Sequence, residues 1–200
     1  MSQRIGFFGG TFDPPHIGHL ILAGEAFHQF QLDRLLWVLS PEPPHKLENA
    51  VTPLRHRLAM LKGMIADNAA FELSQIEMER PGPHYTVDSV RLLLQREPGA
   101  DIVLLLGGDS LADLPTWRFA PELVAGVSKI GVMRRPGDSS DSSALEAKLP
   151  GVTKKLHFMD ALLQSVSSRE LRRRISNGEM YRYYVTPEVY GYIERNHLYR

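Results

Sequence analysis

The chain has 200 residues, no cysteine, 43% hydrophobic and 23% charged residues, and a formal net charge of zero. These are the proportions of a globular chain long enough to bury a substantial core. They exclude disulfides and cysteine metal sites, and the missing basic excess argues against nucleic acid as a partner. No apolar run approaches the ~20 residues that a membrane span needs. Met1-Ser2-Gln3-Arg4 has no signal-peptide anatomy, so no membrane association and a cytoplasmic location are expected.

In chain order, Ile5 to Phe8 reads as a buried strand and Ile17 to Gln31 as a helix. Leu35 to Leu39 is a second strand, followed by a proline-rich loop through Lys46. Thr52-Pro53 is a cap residue with a first-turn proline, opening a helix to about Asp67. Phe71 to Glu79 has broken strand-like alternation, and Thr86 to Glu97 places Val87, Val90, Leu93 and Leu94 on one helical side. Ile102 to Leu106, Ile130 to Met133 and Leu156 to Met159 are further strands, and Ser167 to Asn177 and Pro187 to Asn196 are closing helices. The Gly/Ser/Asp stretch Gly137 to Ser143 reads as a surface loop rather than a linker.

Strands spaced by helices predict an α/β fold: a Rossmann-like, doubly wound, mostly parallel sheet with helices on both faces. Residues 1–200 are expected to form one domain, with a helical subregion from about residue 160 to the end. Ligands of such sheets bind beyond the carboxyl ends of the strands. The chemically loaded islands all follow strands: Gly9 to His19, His45-Lys46, Gly107 to Ser110, Arg134-Arg135, and Ser167-Ser168 with Arg172.

Gly9-Gly10-Thr11-Phe12-Asp13-Pro14-Pro15-His16-Ile17-Gly18-His19 is the most specific island. Gly9 and Gly10 let the backbone turn and approach a ligand. His16 and His19 fall three apart at a helix start, where free N–H groups and the positive dipole end suit phosphate. Gly18 leaves room for a base or phosphate against the backbone. The segment is neither the dinucleotide fingerprint G-x-G-x-x-G nor a Walker loop, and it has no third ligand at zinc spacing. Ser167 with Glu170 reads as a capping box, and a capped N-terminus is also an anion site. Arg172 can clamp phosphate in bidentate fashion.

The first island resembles the signature of the nucleotidylyltransferase superfamily, roughly G-x-F-D-P-x-H-x-G-H. Its His-Ile-Gly-His is shared with class I aminoacyl-tRNA synthetases, whose lysine-rich second loop and tRNA-binding domain are not found here. Val166-Ser167-Ser168-Arg169-Glu170-Leu171-Arg172 resembles the superfamily's I-S-S-T-x-x-R, with Arg169 replacing threonine. Gly107-Gly108-Asp109-Ser110 is similar to its G-x-D-S element, and Lys46 stands where the family has a basic loop. Pro83-His84-Tyr85-Thr86 and Pro115-Thr116-Trp117 resemble the nicotinate pocket of the bacterial nicotinate mononucleotide adenylyltransferases, and Leu198-Tyr199-Arg200 also fits that group.

The resemblance implies an enzyme that adenylylates nicotinate mononucleotide with ATP. ATP would be held by Gly9, Gly10, Thr11, Phe12, His16, Gly18, His19, Gly107, Asp109, Arg134, Ser167, Ser168 and Arg172, with His16, His19, Lys46 and Arg172 carrying catalysis. Lys46, Tyr85, Thr86, Asp109, Ser110 and Trp117 would hold the acceptor. Trp117 offers a face for a pyridinium ring, and Thr86 opens a helix whose N–H can meet a carboxylate. Mg²⁺ would arrive on ATP, held by phosphate and water rather than by a protein site. The rivals are nicotinamide-mononucleotide or phosphopantetheine adenylyltransferases and a non-catalytic nucleotide sensor. Homo-oligomerisation is left open.

Overall fold

The computed structural model describes residues 2–41, 51–134, 142–162 and 165–200. Its centre is a six-stranded sheet in the order β3-β2-β1-β4-β5-β6. The strands are β1 (Arg4–Gly10), β2 (Arg34–Leu39), β3 (Phe71–Ser74), β4 (Asp101–Gly107), β5 (Lys129–Met133) and β6 (Leu156–Phe158). Every pairing is parallel. The helices are α1 (Ile17–Gln29), α2 (Leu54–Ile65), α3 (Thr86–Arg96), α4 (Gly108–Asp113), α5 (Ala120–Gly126), α6 (Ser142–Lys148), α7 (Ser168–Ser176) and α8 (Pro187–Asn196). No described helix is long and apolar enough to cross a membrane.

Successive strand side chains alternate between faces, and the core divides accordingly. Phe8, Leu35, Trp37, Leu39, Val103 and Leu105 point to one side, where α1, α2, α7 and α8 cover them. Ile5, Phe7, Leu36, Val38, Leu104 and Val132 point to the other, under α3, α4, α5 and α6. Both faces are covered, which is why the strands read as continuous apolar runs. At Gly131 an added Cβ would lie 2.5 Å from the Phe30 ring, so the missing side chain lets the end of α1 close on β5.

The doubly wound sheet therefore stands as expected, with local differences. β3 stops at Ser74 because Gln75 to Glu79 turn, the N–H groups of Met78 and Glu79 both bonding the Gln75 carbonyl. α5 is a short helix that the sequence reading passed over; its start, Phe119, takes a left-handed φ of 54°. Ser142 and Ser143 open α6 rather than closing a loop, while Gly137 to Asp141 lie outside the described residues.

One buried cation joins the loops above the sheet. Arg57 of α2 is 1% exposed, and among the described residues its hydrogen bonds all go to backbone carbonyls: Nε donates to Thr52 O (2.8 Å), Nη1 to Thr11 O (3.1 Å) and Ser40 O (2.7 Å), and Nη2 to Pro41 O (2.7 Å). It thus ties the loop after β1 to the loop after β2. Burial lowers its proton affinity, opposed by the nearby Asp13 charge. The planar fork matches this set of acceptors, and a lysine ammonium does not. Arg57→Lys keeps the charge but strands buried carbonyls. It should lower unfolding free energy by at least ~2 kcal/mol in urea titration; an unchanged midpoint would show that the fork is dispensable.

Candidate active site

The winding of the sheet reverses between β1 and β4, and a crevice opens where strands diverge at such a point. Here it is a cleft of about 1240 Å³. It is lined by Gly9 to Asp13, His16, Gly18 and His19 after β1; by Gly107, Asp109 and Ser110 after β4; by Val166 to Arg169 and Arg172 at the start of α7; and by Thr86, Thr116 and Trp117. The N-termini of α1, α3, α4 and α7 all border it. Each presents N–H groups without helical partners, which makes the cleft a place for anions.

The glycine loop is shaped from within. A Cβ on Gly10 would meet the Phe12 ring at 2.8 Å, and Phe12 itself takes a left-handed φ of 49°. This folds Phe12 under the loop, edge-on to Phe8 (5.4 Å) and His19 (5.0 Å). His16 is 4% exposed and is the N-cap of α1 in extended conformation. Its ring stacks on His19 at 3.6 Å with the planes 22° apart. His16 N–H donates to His19 Nδ1 at 3.1 Å, so His19 in its neutral form carries its proton on Nε2. A Cβ on Gly18 would lie 3.1 Å from His16 Nδ1. The space at Gly18 thus lets the His16 ring pack beside it, and Gly18 itself lines the cleft.

The second motif reaches the same loop. Ser167 caps α7 by accepting the Glu170 N–H at 3.2 Å. The reciprocal half of the expected capping box is replaced, since the Glu170 carboxylate pairs with Arg173 and Arg174. Those contacts hold Glu170 well below the usual carboxylate range, at about 2. Ser168 Oγ donates to Pro14 O (2.9 Å), and Arg172 Nη1 donates to Asp13 O (2.6 Å). Segments more than 150 residues apart therefore form one wall.

The remaining expected residues divide. Thr86 and Trp117 line the cleft, whereas Tyr85, the residue preceding α3, packs against the apolar core on that face. Arg134 is not among the lining residues; its guanidinium lies 3.8 Å over the Phe158 ring. Lys46, with its neighbour His45, and Arg135 lie outside the described residues.

Among the lining residues to which the sequence gave no role are Glu77 (5% exposed) and His84 (7% exposed). Glu77 Oε1 accepts from Ser89 Oγ at 2.9 Å, while Glu77 Oε2 and His84 Nδ1 are buried without a hydrogen-bond partner. Only His84, beside the Tyr-Thr pair, gave a signal in the sequence. Among the described residues no group of three or more His, Cys, Asp or Glu is placed to hold a metal.

The cytidylyltransferase-like family model matches residues 7–174. A probable nicotinate-nucleotide adenylyltransferase of Thermomicrobium roseum is 42% identical over 198 residues, spanning 99% of this chain and 92% of its own. The nicotinate-nucleotide adenylyltransferase of Bacillus subtilis is 40% identical over 197 residues, 98% of each chain. The nicotinic acid mononucleotide adenylyltransferase of Plasmodium falciparum, solved in complex with NaAD, superimposes with a TM-score of 0.82 over 98% of this chain and 97% of that one. Its 20% identity makes that a likeness of fold. The chain belongs to the cytidylyltransferase-like family, among the nicotinate-nucleotide adenylyltransferases, and is a nucleotidyltransferase.

Proposed function

We propose that the chain transfers the adenylyl group of ATP to nicotinate mononucleotide, yielding nicotinate adenine dinucleotide and pyrophosphate for NAD biosynthesis. The observation that carries this reading is the convergence of helix N-termini and the stacked His16–His19 pair on one cleft of about 1240 Å³. That volume exceeds an ordinary single-ligand pocket, and suits two nucleotides end to end. Residues 1–200 act as one catalytic unit in this reading, working in the cytoplasm.

A 5′-phosphate oxygen of the acceptor attacks the α-phosphorus of ATP in line. The bond from that phosphorus to the bridging oxygen breaks, and pyrophosphate leaves with the electron pair. Both reacting groups come from substrates, so the protein contributes position and charge. His19, with Nδ1 committed to the loop, donates from Nε2 to a phosphate oxygen, and His16 stacks behind it. Arg172 spends one N–H on Asp13 and keeps the others of its fork for the β- and γ-phosphates. Ser167 holds the Glu170 N–H with its oxygen and retains its hydroxyl proton for phosphate. Ser168 has given its hydroxyl to Pro14, so its backbone N–H at the first turn of α7 takes that role.

Gly9, Gly10, Thr11 and Phe12 shape the loop against ATP, and Gly107 and Asp109 face the ribose. Ser110 and Lys46 assist the acceptor. Arg134 joins the phosphates by leaving its Phe158 stack. The nicotinate ring stacks on Trp117, with its carboxylate at the N-terminus of α3 beside Thr86 and Tyr85. The carboxylates lining the cleft are Asp13, Glu77, Asp109 and Asp113, the last two both on α4; Mg²⁺ entering on ATP would be held by phosphate oxygens and water and would need no protein cage. Its charge would neutralise that of the phosphates when bound.

Pyrophosphate release is measured with Mg-ATP and nicotinate mononucleotide, nicotinamide mononucleotide or phosphopantetheine. Release fastest with the nicotinate acceptor is expected. Release with phosphopantetheine alone would refute the acceptor, and none with any of them would refute the transferase reading. His19→Ala should reduce turnover at least ~100-fold, the scale of losing a transition-state donor, while the protein stays folded. A folded variant with near wild-type turnover would remove His19 from the mechanism.

A further inference from the structure

The signature loop contains a carboxylate that phosphate binding does not call for. Asp13 is 4% exposed, and both its oxygens are engaged. Oδ2 accepts the Thr52 N–H at 3.2 Å, and Oδ1 accepts the hydroxyl of Tyr199, the penultimate residue, at 2.7 Å. The Asp13 carbonyl is the acceptor for Arg172, and the next carbonyl, Pro14, is the acceptor for Ser168.

The end of the chain is bent to make this contact. α8 ends at His197 in a left-handed conformation, φ 49°, and the Leu198 N–H turns back to Ile193 O at 3.2 Å. This is the reversal that closes many helices. Tyr199 is left-handed as well, φ 66°, and Arg200 pairs with Glu194 at 2.6 Å. Two non-glycine residues in this region carry strain that only a specified geometry sustains. Burial first, and then the Asp13 charge, push the Tyr199 phenol far above its usual range, so it remains a donor.

We propose that Tyr199 is a positioning residue of the active site: the C-terminal hook holds Asp13, and through Asp13 it aligns the His16–His19 pair with Arg172. The link is stiff. Pro14 and Pro15 alone separate Asp13 from His16, and each fixes its own φ, so a shift of Asp13 passes to the start of α1. His16 then holds His19 through the bond to Nδ1. This inference rests on the adenylyl-transfer reading, because alignment of the two motifs matters only if both grip one triphosphate.

The test is steady-state kinetics of the full chain, varying ATP and the acceptor separately. Tyr199→Phe keeps the ring and removes only the hydroxyl. Turnover should fall ~10-fold or more and KM for ATP should rise, since small misplacements of catalytic groups cost up to ~100-fold. KM for the acceptor should stay within about twofold, because Thr86 and Trp117 lie on other elements. Asp13→Ala removes the acceptor of the same link, so the double variant should be no slower than Asp13→Ala alone. A purely structural Tyr199 would lower the melting temperature and leave kinetics below it unchanged, which would overturn the proposal. Losses that multiply in the double variant would overturn it too. If the wild type releases no pyrophosphate with any acceptor, the transferase reading fails and takes this proposal with it. If the wild type is active, the variants judge Tyr199 alone.

Discussion

A triphosphate demands donors held in place before it arrives, and the first turns of helices are the cheapest source of them. Around this cleft α1, α3, α4 and α7 all begin at the carboxyl edge of the sheet, so their first-turn N–H groups border one volume. The parallel sheet makes this unavoidable, because a helix that follows a parallel strand starts at that strand's carboxyl end. The reversal of winding between β1 and β4 then separates the loops enough to admit a ligand. In the proposed reading, histidines, serines and arginine refine a site that the backbone has already biased toward phosphate.

Such a site fails if its loops drift, and the buried polar groups here serve chiefly to prevent that. Arg57 fastens the loop after β1 to the loop after β2 through carbonyls. Asp13 receives the chain end and Thr52 on its side chain and Arg172 on its carbonyl. Phe12 fills the hollow under the loop that Gly10 leaves open, and sets His19 from below. Two charges are thereby taken out of water for the sake of geometry. A buried, hydrogen-bonded charge is costly to truncate, which makes these residues sensitive even though they need not touch a substrate.

Much of this was legible in the sequence because it is local. Ile5 to Phe8 and Ile102 to Leu106 are buried on both sheet faces and read as apolar runs. Gly9 to His19 and Ser167 to Arg172 carry their turn and cap chemistry within a few residues. What escaped depends on contacts across the fold. Arg57 sits among leucines and methionines of α2 and reads as an ordinary helix cation until Thr11, Ser40 and Pro41 close over it. Glu77 lies at the end of a broken strand pattern, and only Ser89 of α3 shows that it is buried. Gly18 reads as a place needing room, and the fold sets the His16 ring beside it at the cleft. Arg134 follows its strand as expected, yet Phe158 on the adjoining strand draws it aside.

If the cleft works by holding two substrates against each other, no group of the protein is bonded to the adenylyl moiety at any stage. The most direct measurement is the configuration at phosphorus after transfer from ATP carrying a chiral α-thiophosphate, read by phosphorus NMR of the dinucleotide product. One in-line displacement gives inversion, which is the expected result. Retention would mean two displacements through a covalent enzyme intermediate, and would contradict direct transfer.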